Sequence, residues 1–269
     1  MLMIRPWRAI AGSVFLLALP AACMNLEDPA PATESQLVVH GVLDTWASEH
    51  YVLVYRARTG ARDTNSVNVA GDEPVGGALV TITPQNGSPI AAARLADSSG
   101  ACCVPGEYLF NSVPGGLVLT PGVTYSLHVR TASGEEVSGT TTIPQAPNLM
   151  GLAGKVFLRL RDTLRLSWPR VSGARSYEVI LRSRSLGLYR TFTDTSVVLP
   201  GTTFTLDGDM VFPPGDQVSV LVSAVDANYY DYYRAQSDPF AGVAPSHLTG
   251  AVGVFGSIAP ILVTFLEVR

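Results

Sequence analysis

The chain has 269 residues, 47% of them hydrophobic, a formal net charge of −4 and three Cys. That is enough chain for one or two domains with their own cores. It is too apolar for intrinsic disorder and too poor in Cys for a disulfide-stapled miniprotein. Lys155 is the single Lys and none of the 17 Arg adjoins another. With no basic stripe, nucleic acid is excluded as an expected partner.

The first 26 residues read as an address. Arg5 and Arg8 precede the apolar run Ala9 to Leu19, whose 11 residues match the hydrophobic region of a signal peptide. The uncharged stretch runs on to Leu26, but Pro20 and Asn25 fall inside it and weaken the alternative of a membrane span. Leu19-Pro20-Ala21-Ala22-Cys23 resembles a bacterial lipobox, with Pro20 standing where that pattern prefers Leu. The expectation is a signal peptide over 1–22, then a lipidated Cys23 opening a flexible tether over 23–35. An ordinary secretory peptide cleaved nearby is the alternative. Residues Met24 to Ser35 carry Glu27, Asp28, Glu34, Pro29 and Pro31 and no basic residue, a composition that cannot bury a core. Acids soon after a lipidated Cys resemble a surface-export signal; a solvated linker accounts for them equally well.

The remainder reads as all β. Val123, Tyr125, Leu127 and Val129 alternate with polar residues, as do Leu164, Leu166 and Trp168. Tyr177, Val179 and Leu181 line one strand face, and Val218, Val220, Val222 and Ala224 another. The 31 Val suit pleated, half-buried surfaces. Pro-Gly pairs at 105–106, 114–115, 121–122, 200–201 and 214–215 mark turns. Short strands at this spacing indicate sandwiches or barrels. Thr140 to Pro144 ends one strand and Gln145-Ala146-Pro147-Asn148 reads as a linker. The expected boundaries are therefore an N-terminal Ig-like sandwich over 36–144 and a second sandwich over 145–269. The apolar segment Ile261 to Val268 is expected to be a buried closing strand, because apolar residues fall on both of its faces.

Two resemblances sharpen this. Leu164-Arg165-Leu166-Ser167-Trp168, the turn Val171-Ser172-Gly173-Ala174 and the strand Tyr177 to Leu181 look like fibronectin type III, where the Trp is packing. The mature chain as a whole is similar to an uncharacterised family of bacterial envelope lipoproteins, domain-of-unknown-function family 4249. The matching stretches are Leu37-Val38-Val39-His40-Gly41, Pro74 to Ile82, Gly106-Glu107-Tyr108 and Pro121 to Tyr125. The most specific is Asp238-Pro239-Phe240 followed by Ser246-His247-Leu248-Thr249-Gly250-Ala251-Val252-Gly253-Val254-Phe255-Gly256. His247 stands where the family has Asn, and Ala251 replaces a Gly. The resemblance implies an Ig-like or carboxypeptidase-regulatory-like sandwich, a fibronectin-like second domain and an outer-membrane setting, often beside TonB-dependent transporters. It supplies no activity.

The chain holds few candidates for chemistry. Cys102 and Cys103 are adjacent, and their Cα atoms, ~3.8 Å apart, are too close for an unstrained disulfide. They are either a labile redox pair or two small loop residues. The four His have no metal or triad spacing, and His128 falls on the polar side of its strand. Neither a Gly-x-Ser-x-Gly elbow nor a phosphate-cradling loop occurs. Asp207, Asp209 and Asp216 share a loop but fall short of calcium's six to eight oxygens. Tyr229-Tyr230-Asp231-Tyr232-Tyr233 is the one compositional anomaly. It is a candidate recognition surface, because Tyr couples apolar area to a polar tip. A strand burying half of these rings and a short helix after Asp226 are both open.

The sequence thus predicts a non-enzymatic, outer-membrane-associated binding or assembly lipoprotein with no metal and no cofactor. Its predicted contacts are the membrane, through Cys23, and a TonB-dependent transporter. The alternatives are capture of a carbohydrate or other nutrient for that transporter, and a hydrolase with an unrecognised site.

Overall fold

A computed structural model describes residues 35–57, 73–94, 106–111, 116–149, 156–184, 187–237 and 245–269. The expected signal peptide over 1–22, Cys23, the expected tether up to Glu34, and Cys102 and Cys103 lie outside the described residues. Residues Ser35–Arg269 form one compact unit.

The first half of this unit is built from short strands: β1 (Leu37–Asp44), β2 (Glu49–Arg56), β3 (Glu73–Pro74), β4 (Leu79–Pro84), β5 (Ile90–Ala91), β6 (Ala93–Arg94), β7 (Glu107–Asn111), β8 (Thr124–Arg130) and β9 (Glu136–Thr142). Alternation decides which face is buried. In β1, Leu37, Val39 and Leu43 point inward, and in β8, Tyr125, Leu127 and Val129 do so while His128 is exposed. The β5-β4-β8-β9 sheet packs on the sheet containing β1, β2 and β7, and its core includes Val52, Val54, Ile82 and Phe110. Two buried Tyr also fasten loops. Tyr125 Oη donates to the Val118 carbonyl (2.8 Å) and accepts from Thr120 N–H (2.9 Å). Tyr108 Oη does the same between Val75 (2.7 Å) and Ala78 (2.9 Å).

The second half contributes β10 (Val156–Phe157), β11 (Thr163–Ser167), β12 (Ser176–Ser183), β13 (Gly187–Thr193), β14 (Ser196–Pro200), β15 (Gln217–Val225), α1 (Ala227–Ser237) and β16 (Val252–Val268). The β11–β14 pair faces the run β13-β12-β15-β16, the order of a fibronectin type III sandwich. Val218, Val220, Val222 and Ala224 are fully buried, as their alternation predicts. Trp168 is buried edge-on against Tyr177, with ring centroids 5.4 Å apart. The fold is an all-β sandwich architecture with a single described helix.

The strand that joins the halves is β16. Its first part pairs in parallel with β1, Val38 opposite Val252 through Asp44 opposite Ile258. Its second part pairs antiparallel with β15, from Ile258 opposite Val225 to Glu267 opposite Gln217. Among the described residues the ladder β13-β12-β15-β16-β1-β2-β7-β6 is therefore one continuous sheet. Two clusters of buried side chains lie along it: Phe255 belongs to the first, Leu266 and Val268 to the second.

The closing strand departs from expectation in one respect. Leu266 and Val268 are buried, but Leu262 is 38% and Phe265 46% exposed. A bulge accounts for Phe265. Leu221 lies opposite Leu262 and Val220 opposite Thr264, so Val263 is an extra residue in the strand. Leu262 and Phe265 consequently share the outer face of the sheet while Leu266 turns inward.

Candidate functional site

The Tyr-rich run folds as α1, and its start is fixed by Asp226. The Asp226 carboxylate caps the helix by accepting from Tyr229 N–H (2.9 Å). It also accepts from Ser257 N–H (3.1 Å) and from the Thr141 hydroxyl (2.6 Å). One buried acid thus ties α1 to β16 and β9. Burial pushes the Asp226 carboxyl up from its ordinary range, against the opposing pull of those three donors. Asn228, two residues on, donates to the carbonyls of Thr140 (2.6 Å) and Phe255 (2.8 Å).

The Gly-rich stretch that leads into β16 permits these close approaches. Gly250 and Gly253 have positive φ, at +85° and +116°. A Cβ on Gly250 would overlap the Glu136 carbonyl oxygen, and one on Gly253 the Val39 carbonyl oxygen. A Cβ on Gly256 would sit 2.8 Å from Tyr229 N. The 250, 253 and 256 spacing therefore seats β9, β1 and α1 in turn against one strand. Leu248 covers Gly139 of β9, and Thr249 exchanges two backbone hydrogen bonds with Ser138 (2.8 and 3.1 Å). His247 reaches Asp231 of α1 (3.0 Å). This stretch is a packing junction.

The candidate recognition residues divide by depth. Tyr229 is 6% exposed, and its hydroxyl donates to Glu178 (3.1 Å) and accepts from Arg190 (2.8 Å). Burial and the Glu178 carboxylate push that phenol far up. Glu178, itself buried, forms an ion pair with Arg190. Tyr230, Tyr232 and Tyr233 are half-buried. The Arg190 guanidinium lies 4.7 Å from the Tyr233 ring centre, and burial raises the Tyr233 hydroxyl to about 12. Tyr233 Oη is 2.8 Å from Nε2 of His40 on β1. Tyr230 has Arg175 and Arg234 over its ring (5.4 and 5.6 Å) and Phe192 at 5.4 Å. Around Tyr229, Tyr230 and Tyr233 the helix contributes glue between sheet strands more than open ring faces.

Exposed apolar side chains gather elsewhere. Leu188 of β13 and Leu262 and Phe265 of β16 are exposed. At the far end of β16, the loops 158–162 and 200–211 meet where Gly201 N–H donates to Asp162 (3.0 Å) and the Arg159 guanidinium covers the Phe204 ring (5.8 Å). Phe204 is 53% exposed, Leu160 on the other loop lies open, and Leu206 on the same loop as Phe204 is fully exposed. Asp207 and Asp209 flank that loop's turn, where Asp209 N–H donates to Thr205 Oγ1 (3.0 Å). Asp216 caps its own turn, accepting from Gln217 N–H (2.7 Å) and from Ser183. No group of three metal-ligating side chains assembles among the described residues. His50 is buried and its pKa is held down by that burial.

Sequence patterning misses the roles of Asp226, Thr141, Ser257, Glu178 and Arg190. A signal existed for one of them: Asp226 stands just before a run that includes the helix-compatible tyrosines, at an N-cap position.

Fold and junction together define a double β-sandwich built on one shared strand, its second half of fibronectin type III type. The profile of the family described as "Domain of unknown function (DUF4249)" matches residues 25–260, and the chain belongs to that family. No curated protein shows significant similarity to it. Among solved structures, the chain is similar to the FN1-FN3 domains of chicken CNTN1. Identity is 12%, coverage is 85% of this chain and 67% of that one, and the TM-score is 0.26. It is also similar to the BSP domain of a biofilm-associated protein, at 11% identity, with 85% of this chain and 29% of that one covered and a TM-score of 0.24.

Proposed function

We propose that the protein is a lipid-anchored, non-enzymatic module of the bacterial outer membrane that binds or assembles with another envelope protein. The observation that carries this reading is the exposed apolar pole formed by Leu160, Phe204 and Leu206. Exposed apolar clusters rimmed by polar residues mark interaction sites. That pole lies at the end of β16 where Arg159 N–H donates to the Arg269 carbonyl (2.9 Å). The chain enters the fold at the opposite end, where Val38 pairs with Val252. At ~3.3 Å per residue, the 17 residues of β16 separate the two by roughly 50 Å. Arg5 and Arg8 before an apolar run, and Ala21-Ala22 before Cys23, support the anchor.

The favoured partner is a TonB-dependent transporter, on the family resemblance. The second reading is capture of a carbohydrate or other nutrient for it, for which the half-buried Tyr232 of α1 is the candidate ring. A pull-down from native membranes separates the two. A ligand-independent transporter complex that Phe204→Asp and Leu206→Asp abolish supports assembly. A sugar-dependent thermal shift without such a complex supports capture, and neither result would reject both. Cys23→Ser should release the protein from the membrane fraction or leave an unprocessed precursor; normal processing with unchanged fractionation contradicts lipidation.

A further inference from the structure

We propose that the outer edge of β13 is a strand-addition site for an extended, acid-flanked segment of a partner protein. The site is separate from the pole of Leu160, Phe204 and Leu206 and does not rest on it.

The sheet orders end in β13 and β6, in β5 and β9, and in β11 and β14. A terminal strand presents a row of unpaired N–H and C=O groups, and folded proteins blunt such edges. The other five are short or covered. β5 and β6 have two residues each; β11 and β14 have five, and β14 closes on Pro200. β9 equals β13 in length, at seven residues, but it is covered. Thr249 exchanges two backbone hydrogen bonds with Ser138, and the Thr140 carbonyl accepts from Asn228 (2.6 Å). β13 carries none of these devices. Gly187 to Thr193 pair with Ser183 to Tyr177 in one unbroken register, without Pro, Lys or a bulge. Among the described residues β12 is the only strand beside it.

The edge is also held ready. Its one charge, Arg190, is turned onto Glu178 and the Tyr233 ring. Tyr189 packs against the second core, and Phe192 meets Tyr230 edge-on at 5.4 Å. Both faces of β13 are thus anchored, so an arriving strand loses little entropy in ordering it. Leu188, 49% exposed, offers that strand an apolar neighbour. Backbone pairing supplies affinity in such a complex, and the flanking side chains supply selectivity.

Charge selects the occupant. Arg182 lies opposite Leu188, and Arg184 follows it in the turn that leads to β13. At the other end, Arg175 stands two residues before Tyr177, which lies opposite Thr193, and covers the Tyr230 ring (5.4 Å). All three are exposed, and none takes part in an ion pair among the described residues. Of the nearby acids, Glu178 is paired with Arg190, Asp194 with Arg170, and Asp216 accepts from Ser183. A segment with acidic residues at both ends complements these arginines. A second copy paired antiparallel through the same edge would set Arg182 and Arg184 toward Arg175 of its mate. Like charges therefore oppose a dimer through β13.

Hydrogen exchange read by NMR on the purified full chain tests this, with a short synthetic peptide of alternating Thr and Val flanked by Glu at each end. Alternate amides of Gly187–Thr193 should gain several-fold protection on saturation, with β9 and β14 unchanged. The same peptide methylated at its backbone nitrogens should not bind, and a Lys-flanked version should bind several-fold more weakly. Arg182→Glu with Arg184→Glu should reverse that preference and leave the thermal melt unchanged. Phe204→Asp and Leu206→Asp, which probe the pole, should leave peptide binding as it is. No binding of the Glu-flanked peptide, binding without protection of β13, or equal binding of the methylated peptide would each overturn the proposal. So would an unreversed preference in the double variant, or loss of binding in the pole variants. A concentration-dependent dimer that protects β13 without peptide would also overturn it, by assigning the edge to a second copy.

Discussion

The two halves of β16 hold their neighbours by opposite means. From Gly250 to Ser257 the chain is rich in small residues, and β1, β9 and α1 approach its backbone so closely that a methyl group would collide. From Ile258 to Val268 it is aliphatic, and β15 runs along it, with β10 joining at its end, while Leu266 and Val268 fill the second core. The first half is specified by what is left out of it, the second by what is buried. Single-atom additions should therefore hurt the first half, and deletions the second.

The largest expected effect comes from removing the second half. Truncation after Ser257 deletes the partner of β15 together with Leu266 and Val268. Those two side chains alone account for about 3–6 kcal/mol at ~1.5–3 kcal/mol each. Circular dichroism and exchange should report an unfolded or aggregated β12–β15 region. A truncated chain that melts cooperatively at the parent temperature would break the comparison.

Next is the second core itself. Trp168→Ala should cost ~3–5 kcal/mol in urea unfolding, through the cavity left beside Tyr177. A loss of a few tenths of a kcal/mol would mean that the indole packs nothing.

An addition in the first half follows. Gly253→Ala should cost ~2–4 kcal/mol, because positive φ and the Val39 carbonyl both oppose a Cβ. Gly208→Ala is the matched control. It has the same sign of φ, +87°, but nothing stands near its Cβ, so only ~1–2 kcal/mol of backbone strain is expected. Equal costs at the two sites would show that strain alone, without close approach, explains the first half.

The smallest effect is at the exposed pole. Leu206→Ser should change stability by no more than ~0.5 kcal/mol, the scale of surface substitutions. A larger loss would place Leu206 in a core and remove it from the proposed interaction surface.

Most strand interiors were legible because alternation reports burial directly. Val218 to Ala224, Tyr125 to Val129 and Trp168 stand where their period-two pattern puts them. The sharing of β16 was not, since alternation shows which face is buried but not which strand lies along each edge. Phe265 misleads for a related reason: a one-residue bulge at Val263 reverses the inward and outward positions beyond it, while Leu262, before the bulge, lies opposite Leu221 on the outer face. The Gly spacing was visible as a motif, yet its meaning depends on three elements distant in sequence. The Tyr run was open between strand and helix because its rings follow neither period cleanly. Tertiary contacts to Glu178, Arg190 and His40 settle it as α1. Of the buried polar set around Asp226, only the N-cap position of Asp226 is visible in sequence, because Thr141 and Ser257 are unremarkable in their own segments.

The central claim is that a shared β16 makes the two sandwiches one cooperative unit. Urea unfolding of the full chain followed by hydrogen exchange in β8, a reporter of the first core, and β12, a reporter of the second, tests it most directly. The account predicts coincident midpoints for the two strands, displaced together by Gly253→Ala and by Trp168→Ala. Two separate transitions, each moved by only one of those substitutions, would contradict it.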